Sequence, residues 1–496
     1  MRYLPNGTQM SQADSFTIKV TGIPSLVLME RAALKTVEMM HMHGIDTSRA
    51  LVVCGSGNNG GDGFAIARLL TEEGRNARIL FAGREDSLSE ECRIQKKIAG
   101  NLGIGIITEI PEEEYTVIID AVFGVGLSRE ISGRYADIIA WMNEQDCCKV
   151  AVDIPSGVSS ATGKILGIAF HADLTVAMAC VKAGCEMYPG KNYAGETVAV
   201  PIGIDPEFFT SDEDVCITYD RRDIPKLLPE RKADSHKGSY GKVLMVTGSS
   251  GMAGAAYLSA KAAYAVGAGL VQIYTAQENR AILQQLLPEA VISCYQEYDE
   301  DKLVRLLDWA DVVCIGCGLG TGETSERILR STLNKVSVPC IIDADGLNLL
   351  ARETDLLEKT HTPVILTPHM KEMSRLTGYS VNELTDRRLE ILRGFTEKYP
   401  AVCVLKDSRT FVKERGRHPF FNLAGNSAMA KAGAGDVLAG VITGLVAQGM
   451  QAYESAALGV YLHACGGDEA KEAKGSYSVL ARDLIAGIEK CMEKKE

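Results

Sequence analysis

The chain lacks any run of about 18 uninterrupted apolar residues, so it holds no candidate membrane-spanning helix. Aromatic residues make up only 6%, with 2 tryptophans, and prolines number 15. No fixed-period repeat or low-complexity segment is present, which sets aside solenoid, fibrous and disordered classes. An excess of positive charge is missing too: Lys+Arg 52 against Asp+Glu 64 leaves a net charge of −12. That balance disfavours nucleic acid or an anionic membrane as the main partner, because phosphate binding needs clustered cations, and leaves room for local basic pockets. The start, Met1-Arg2-Tyr3-Leu4-Pro5-Asn6-Gly7, has no secretory apolar stretch. The 14 cysteines are scattered, many inside apolar runs (Cys54, Cys180, Cys314, Cys340, Cys403), where free Cys acts as a small hydrophobe. A reduced, cytoplasmic protein is expected.

Glycine, by contrast, is plentiful, at 49 of 496 residues. Short apolar runs alternate with helix-length segments throughout, the pattern of parallel-sheet α/β architecture. Leu51–Cys54, Arg78–Ala82, Val117–Asp120 and Val150–Asp153 are predicted strands, with helices at about Ser25–Met40, Gly63–Gly74 and Tyr135–Glu144. The series restarts with Lys242–Thr247, Leu270–Tyr274, Asp311–Ile315, Cys340–Asp343, Pro363–Thr367 and Val402–Lys406. Between the two sets, residues 220–232 are charged, carry two prolines and lack apolar periodicity. Two α/β domains are therefore expected, 1–220 and 225–496. The charged end, Glu489–Glu496, reads as a solvated helix terminus.

In the first half, Gly55-Ser56-Gly57-Asn58-Asn59-Gly60-Gly61-Asp62-Gly63 joins a strand to a helix. It contains G-x-G-x-x-G, but a dinucleotide-binding unit also wants an acid at the end of the next strand, and Phe81-Ala82-Gly83-Arg84 offers none there. Asp62 within the loop also repels a bare pyrophosphate. The amides and helix start still favour an anion, and the asparagine carbonyls suit a hard cation. Asp120 and Asp153 end two further strands, placed by the sheet rule at the same crevice. Each is followed by a Gly-bearing loop: Gly124-Val125-Gly126-Leu127-Ser128-Arg129-Glu130 and Ile154-Pro155-Ser156-Gly157.

In the second half, Ala432-Gly433-Ala434-Gly435-Asp436 precedes the helical run from Val437. Its glycines let amides approach a phosphate, and an aspartate there can accept a proton from a hydroxyl facing that phosphate. Lys406-Asp407-Ser408-Arg409-Thr410 closes a strand with two cations suited to nucleotide phosphates.

These residues resemble known families. Gly57–Gly63, Phe123–Arg129, Val152–Gly157 and the opening Gly22–Ala33 are similar to the NAD(P)H-hydrate epimerases over about residues 1–215. The resemblance implies a Rossmann-like three-layer αβα sandwich that interconverts R and S hydrated NADH or NADPH with a potassium ion in the site. Carried over, Asn59, Asp120 and Ser156 are cation ligands. Asn58 to Asp62, Gly124 to Glu130 and Asp153 contact substrate, with Asp153 as the acid/base. From about 225 onward the chain resembles the ribokinase-like fold, and within it the ADP- or ATP-dependent NAD(P)H-hydrate dehydratases. The motifs include His236–Gly241, Gly248–Ala256, Gly316–Gly320, Asp343–Asn348, Leu366–His369 and the Asp436 loop. The implied chemistry is phosphorylation of the S hydrate's hydroxyl by ADP (or ATP) with Mg²⁺, then loss of phosphate. Asp436 is then the base, and Gly433 to Gly435 stabilise the transferring phosphoryl group. Lys406 to Thr410 and Gly435 hold nucleotide, while Ala255, Gly318, His369 and Asp436 meet the hydrate. Three positions depart from the family pattern: Ala434 for Thr, Cys317 for Pro, and Met370 after the histidine.

The expected function is thus bifunctional nicotinamide-nucleotide repair, isomerase plus hydro-lyase, in a homo-oligomer. A ribokinase-like kinase for a hydroxymethylpyrimidine or thiazole alcohol and a non-catalytic ligand sensor are the alternatives. Cys314-x-x-Cys317 without a second ligand pair is a poor zinc signal. His41 and His43 read as surface groups at a helix end, and His463 as a satisfied core histidine.

Overall fold

The structure is a computed structural model that describes residues 1–493; of the charged end, 494–496 lie outside the described residues. The chain divides into two compact units, one of Tyr3–Cys216 and one of Met1–Arg2 with the residues from Ile217 on. The division falls ahead of the charged stretch at 220–232 because Ile217 already pairs with Phe420 in the second sheet. Met1 and Arg2 join that unit through charge: the terminal amine meets Asp223 at 2.6 Å, and Arg2 binds the Asp220 carboxylate at 2.9 Å.

The first unit holds a seven-stranded sheet, all its pairs parallel. Across the sheet the strands run Ile106–Ile107, Asn76–Phe81, Arg49–Cys54, Val117–Ala121, Cys148–Val152, Leu174–Met178 and Glu196–Val200. The first and the last two are absent from the sequence reading. Alternation decides the faces. Leu51, Val53, Leu80, Ile118 and Ala151 cluster with Ile138, Ile139 and Met142 of the helix Arg134–Glu144. On the other face, Val52 and Cys54 lie under Gly63 of the helix Asn58–Glu72. Three αβα layers result. The strand order reverses at Arg49–Cys54, which lies between Asn76–Phe81 and Val117–Ala121; ligand crevices form at such switch points.

In the second unit, Ala401–Leu405, Val364–Leu366, Cys340–Ile342, Val312–Ile315, Lys242–Val246, Leu270–Ala276 and Val291–Tyr295 form a parallel array. The half-exposed edge strand Val291–Tyr295 is also absent from the sequence reading. Phe411–Lys413 and Phe420–Phe421 extend the sheet antiparallel. The helix Ala434–Ala447 packs tightly on Ala253–Ala265: a Cβ at Gly440 would lie 2.1 Å from the Ser259 carbonyl oxygen. Small residues here are the condition for helix contact at backbone distance. Among the described residues no helix is long and apolar enough to cross a membrane. All 14 cysteines are free.

Candidate active sites

In the first unit a cavity of about 900 Å³ opens at the switch point. Asn58, Asn59, Asp62, Gly124, Val125, Gly126, Leu127, Ser128, Arg129 and Asp153 all line it. The helix begins at Asn58, so Asn58 to Gly61 form its first turn and Asp62 opens the second, and none of them is in a loop. Gly60 and Gly61 are absent from the cavity lining and serve packing. A Cβ at Gly60 would lie 2.0 Å from the Gly55 carbonyl oxygen, and one at Gly61 would lie 2.5 Å from the Met29 side chain. Glu130 is exposed and outside the cavity lining.

Asp120 differs from its expected setting. It is fully buried within its strand and outside the cavity lining. Its carboxylate accepts from the Ser156 amide (2.7 Å), the Ser156 hydroxyl (2.7 Å) and the Val122 amide (3.1 Å). Burial still pushes it up to about 6 against those hydrogen bonds. Asn59 is buried, its Nδ2 makes no hydrogen bond among the described residues, and a Cβ at Gly124 would lie 3.3 Å from the Asn59 Cβ.

Asp153 follows its strand in a left-handed conformation (φ 70°) that a non-glycine residue adopts only when held there. Its carboxylate accepts from the Met178 amide at 2.9 Å and pairs with Lys182, which is 0% exposed and also donates to the Met178 carbonyl at 3.0 Å. Sequence reasoning missed Lys182. The available signal was a lone lysine inside the apolar run Val176–Ala183.

In the second unit, Asp436 sits in the first turn of Ala434–Ala447, which starts three residues before Val437, with Gly433 capping it at φ 88°. Ligating atoms of Cys317, Asp343 and Asp436 lie within 4.8 Å of one another. Asp343, buried, accepts from Thr367 (2.7 Å) and from the Lys406 ammonium (2.7 Å). A Cβ at Gly435 would lie 3.4 Å from that ammonium, so Lys406 reaches the start of the helix. Burial pushes Asp436 up to about 6, helped by Asp343, while a hydrogen bond from Cys317 and the charge of Lys406 pull the other way. Asp343 was quoted in a motif but given no role; as a carboxylate ending a buried strand it was legible.

Gly318 (φ 60°) and Ala255 meet directly: a Cβ at 318 would lie 2.8 Å from that of Ala255. His369 caps the helix Met370–Thr377, its Nδ1 accepting from the Lys371 and Glu372 amides at 3.1 Å each; burial and Lys406 hold its pKa low. Asp407 pairs with Arg388 at 2.7 Å, Arg409 is buried and donates to the Leu423 carbonyl, and Ser408 is exposed. Thr410 donates to the Asp407 carbonyl at 3.3 Å. His463 has a buried Nε2 with no hydrogen bond among the described residues, unlike the satisfied histidine expected.

Two family models match the chain: YjeF-related protein N-terminus over residues 25–184 and NAD(P)H-hydrate dehydratase over 243–490. A bifunctional NAD(P)H-hydrate repair enzyme from Moorella thermoacetica is 35% identical, covering 97% of this chain and 95% of the relative. The chain belongs to the bifunctional NAD(P)H-hydrate repair enzyme family. The Coxiella burnetii member is 36% identical over 98% of each chain. Among solved structures, an ADP/ATP-dependent NAD(P)H-hydrate dehydratase from Bacillus subtilis, co-crystallised with ATP and Mg²⁺, is similar at 31% identity and a TM-score of 0.50. It covers 56% of this chain and 97% of its own. Membership thus extends over both units, and the ribokinase-like fold expected of the second is the one found.

Proposed function

We propose that the chain repairs hydrated NADH and NADPH in two steps, epimerising R and S hydrates in the first unit and dehydrating the S form in the second. The observation that carries this reading is full-length membership of a bifunctional family with both carboxylate centres in place.

In the first cavity, Asp153 is the acid/base, fixed by Lys182 and the Met178 amide. Potassium fits the neighbouring donor set. Asp120 is a buried carboxylate without an ion-pair partner among the described residues, and the Ser156 hydroxyl bridges it to the Phe123 carbonyl. Asn59 has a buried amide nitrogen without a partner, and rotation about its terminal bond presents oxygen instead. Such an ion supplies fixed positive charge for the substrate's anionic groups.

In the second unit, Asp436 takes the hydroxyl proton while that oxygen attacks the terminal phosphorus of ADP, and AMP leaves. The phosphate then departs with the C–O electrons and a ring proton is lost, restoring NAD(P)H. Gly433 and Gly435 amides meet the transferring phosphoryl group. Lys406 to Thr410 hold nucleotide, and Ala255, Gly318 and His369 face the hydrate. Asp343 is taken by the Lys406 ammonium, so Mg²⁺ would be held chiefly by the nucleotide's phosphates and would supply positive charge there. ADP is the preferred donor in this reading. We place the protein in the cytoplasm as a homo-oligomer; fourteen free cysteines support a reducing compartment.

The test is recovery of reduced-nicotinamide absorbance from mixed R and S hydrate with ADP and Mg²⁺. Wild type should restore the whole mixture, Asp436→Ala none, and Asp153→Ala only the S portion at early times. No recovery by wild type with ADP or ATP overturns the reading.

A further inference from the structure

The first cavity holds four carboxyl groups, Asp14, Asp62, Glu91 and Asp153, around a single buried cation, Lys182. They are not equivalent. Lys182 is committed to Asp153 and to the Met178 carbonyl. Asp62, at the start of the second turn of Asn58–Glu72, lines the cavity and makes no hydrogen bond or ion pair with any described residue. Glu91 accepts from the Ser25 hydroxyl at 2.6 Å, whereas Asp14, like Asp62, has no partner among the described residues but is the less deeply buried of the two. One ammonium cannot neutralise four clustered carboxylates, so the deeper unpartnered group is the one that keeps its proton.

We propose that Lys182 and Asp62 complete the proton-transfer machinery of the first site: Lys182 holds Asp153 as the anionic base, and Asp62 is the neutral acid. This rests on the epimerase reading above. The hydrate's hydroxyl sits on the ring carbon next to nitrogen. Asp62 protonates that hydroxyl, the C–O bond breaks, and water leaves with the bonding pair while the nitrogen lone pair forms C=N⁺. Water then adds to the opposite face of the planar carbon, and Asp153 takes its proton. The net change is inversion with one proton moved from Asp62 to Asp153; solvent exchange at the cavity resets both. The reverse direction exchanges the two roles.

The electrostatics agree with this division. Burial first, then Asp153 and Asp14, push Asp62 well above the usual carboxylate range, with Lys182 opposing. Asp14, across the cavity on the helix Gly7–Phe16, is raised by burial, Glu91 and Asp153. Arg84 and Arg129 line the cavity as exposed residues, and the thiol of Cys185 lies near Lys182 and Asp153. Asp62 is therefore the carboxyl most strongly held neutral, and two-carboxyl chemistry with opposed protonation follows the general pattern of acid–base pairs.

The test follows R-to-S conversion by chromatography in the full chain with ADP omitted, as a function of pH. S-hydrate dehydration by the same preparation is the control for intact protein. Asp62→Asn should cut kcat by about 10²–10⁴-fold with KM little changed, the usual worth of general acid catalysis. Lys182→Met should lower kcat with KM little changed, because the ion pair that holds the Asp153 carboxylate in place is gone; Lys182→Arg should restore most of it. The proposal is overturned if Asp62→Asn raises only KM, or if Lys182→Arg is no better than Lys182→Met. If Lys182→Met is recovered only as aggregate, Asp62→Asn and Lys182→Arg decide. Retained conversion by Asp153→Asn would instead sink the assignment of Asp153 on which the proposal rests.

Discussion

At the scale of single residues, the second site turns on how Asp436 is poised. Burial and the neighbouring Asp343 carboxylate bring it to about 6, and the Cys317 thiol restrains that rise. A base must be unprotonated to work, so dehydration of S hydrate should fall as pH drops through about 6, approaching tenfold per pH unit below it. The thiol donates to Asp343 at 3.8 Å and lies within 4.8 Å of the Asp436 carboxylate, so Cys317→Ala takes a polar group from beside the charged form and the limb should shift to higher pH. A pH–kcat/KM profile of the two proteins checks both statements; an unmoved limb would show that the thiol does not tune Asp436. Cys317 thus has a part to play where the family pattern has proline. For Ala434 and Met370 the structure gives only their places at helix starts.

Elements set what those residues can reach. The helix Asn58–Glu72 starts so close to the preceding strand that Gly60 has backbone 2.0 Å from where a Cβ would be. Gly60→Ala must push the first turn outward. It should cost about 1–3 kcal/mol as overpacking, read as a lower melting temperature and weaker epimerisation with S-hydrate dehydration retained. Gly157 is bound twice over, by φ 92° and by the Ile168 carbonyl oxygen 1.9 Å from a Cβ position. The loops carrying Val122 and Ser156 both donate to Asp120, so a cation held there ties them together. Replacing choline chloride by KCl at equal ionic strength should raise the first unit's melting temperature through linkage. Asp120→Asn should abolish the increment; a K⁺-independent midpoint in wild type would remove potassium from the site.

On the scale of the whole molecule, each unit has its own parallel sheet, its own core and its own carboxylate centre. Epimerisation without ADP should therefore survive Asp436→Ala, and conversion of pure S hydrate should survive Asp153→Ala, each within about twofold of wild type for independent sites. Loss of both activities from either substitution would mean that the units do not work separately.

Much of this was legible in the chain itself. Buried parallel strands are apolar runs followed by turn residues, which is why Val117–Ala121 and Val312–Ile315 could be read within a residue of their ends. The glycine-rich strand-to-helix junctions and the aspartates after strands are local features, and they marked both sites and the family. Helix starts at Asn58 and Ala434 were missed because glycine lowers helical propensity, while the fold stabilises those turns through tertiary contact. The pairings of Lys182 with Asp153 and of Lys406 with Asp343 lie beyond sequence patterning, since each is defined by a partner on another strand or its following loop. The sequence determined the α/β class, the two-part organisation and the family, because these follow from periodicity and local motifs. Only the tertiary structure decided which carboxylates are paired, buried or left free, because charge state depends on neighbours brought together by the fold.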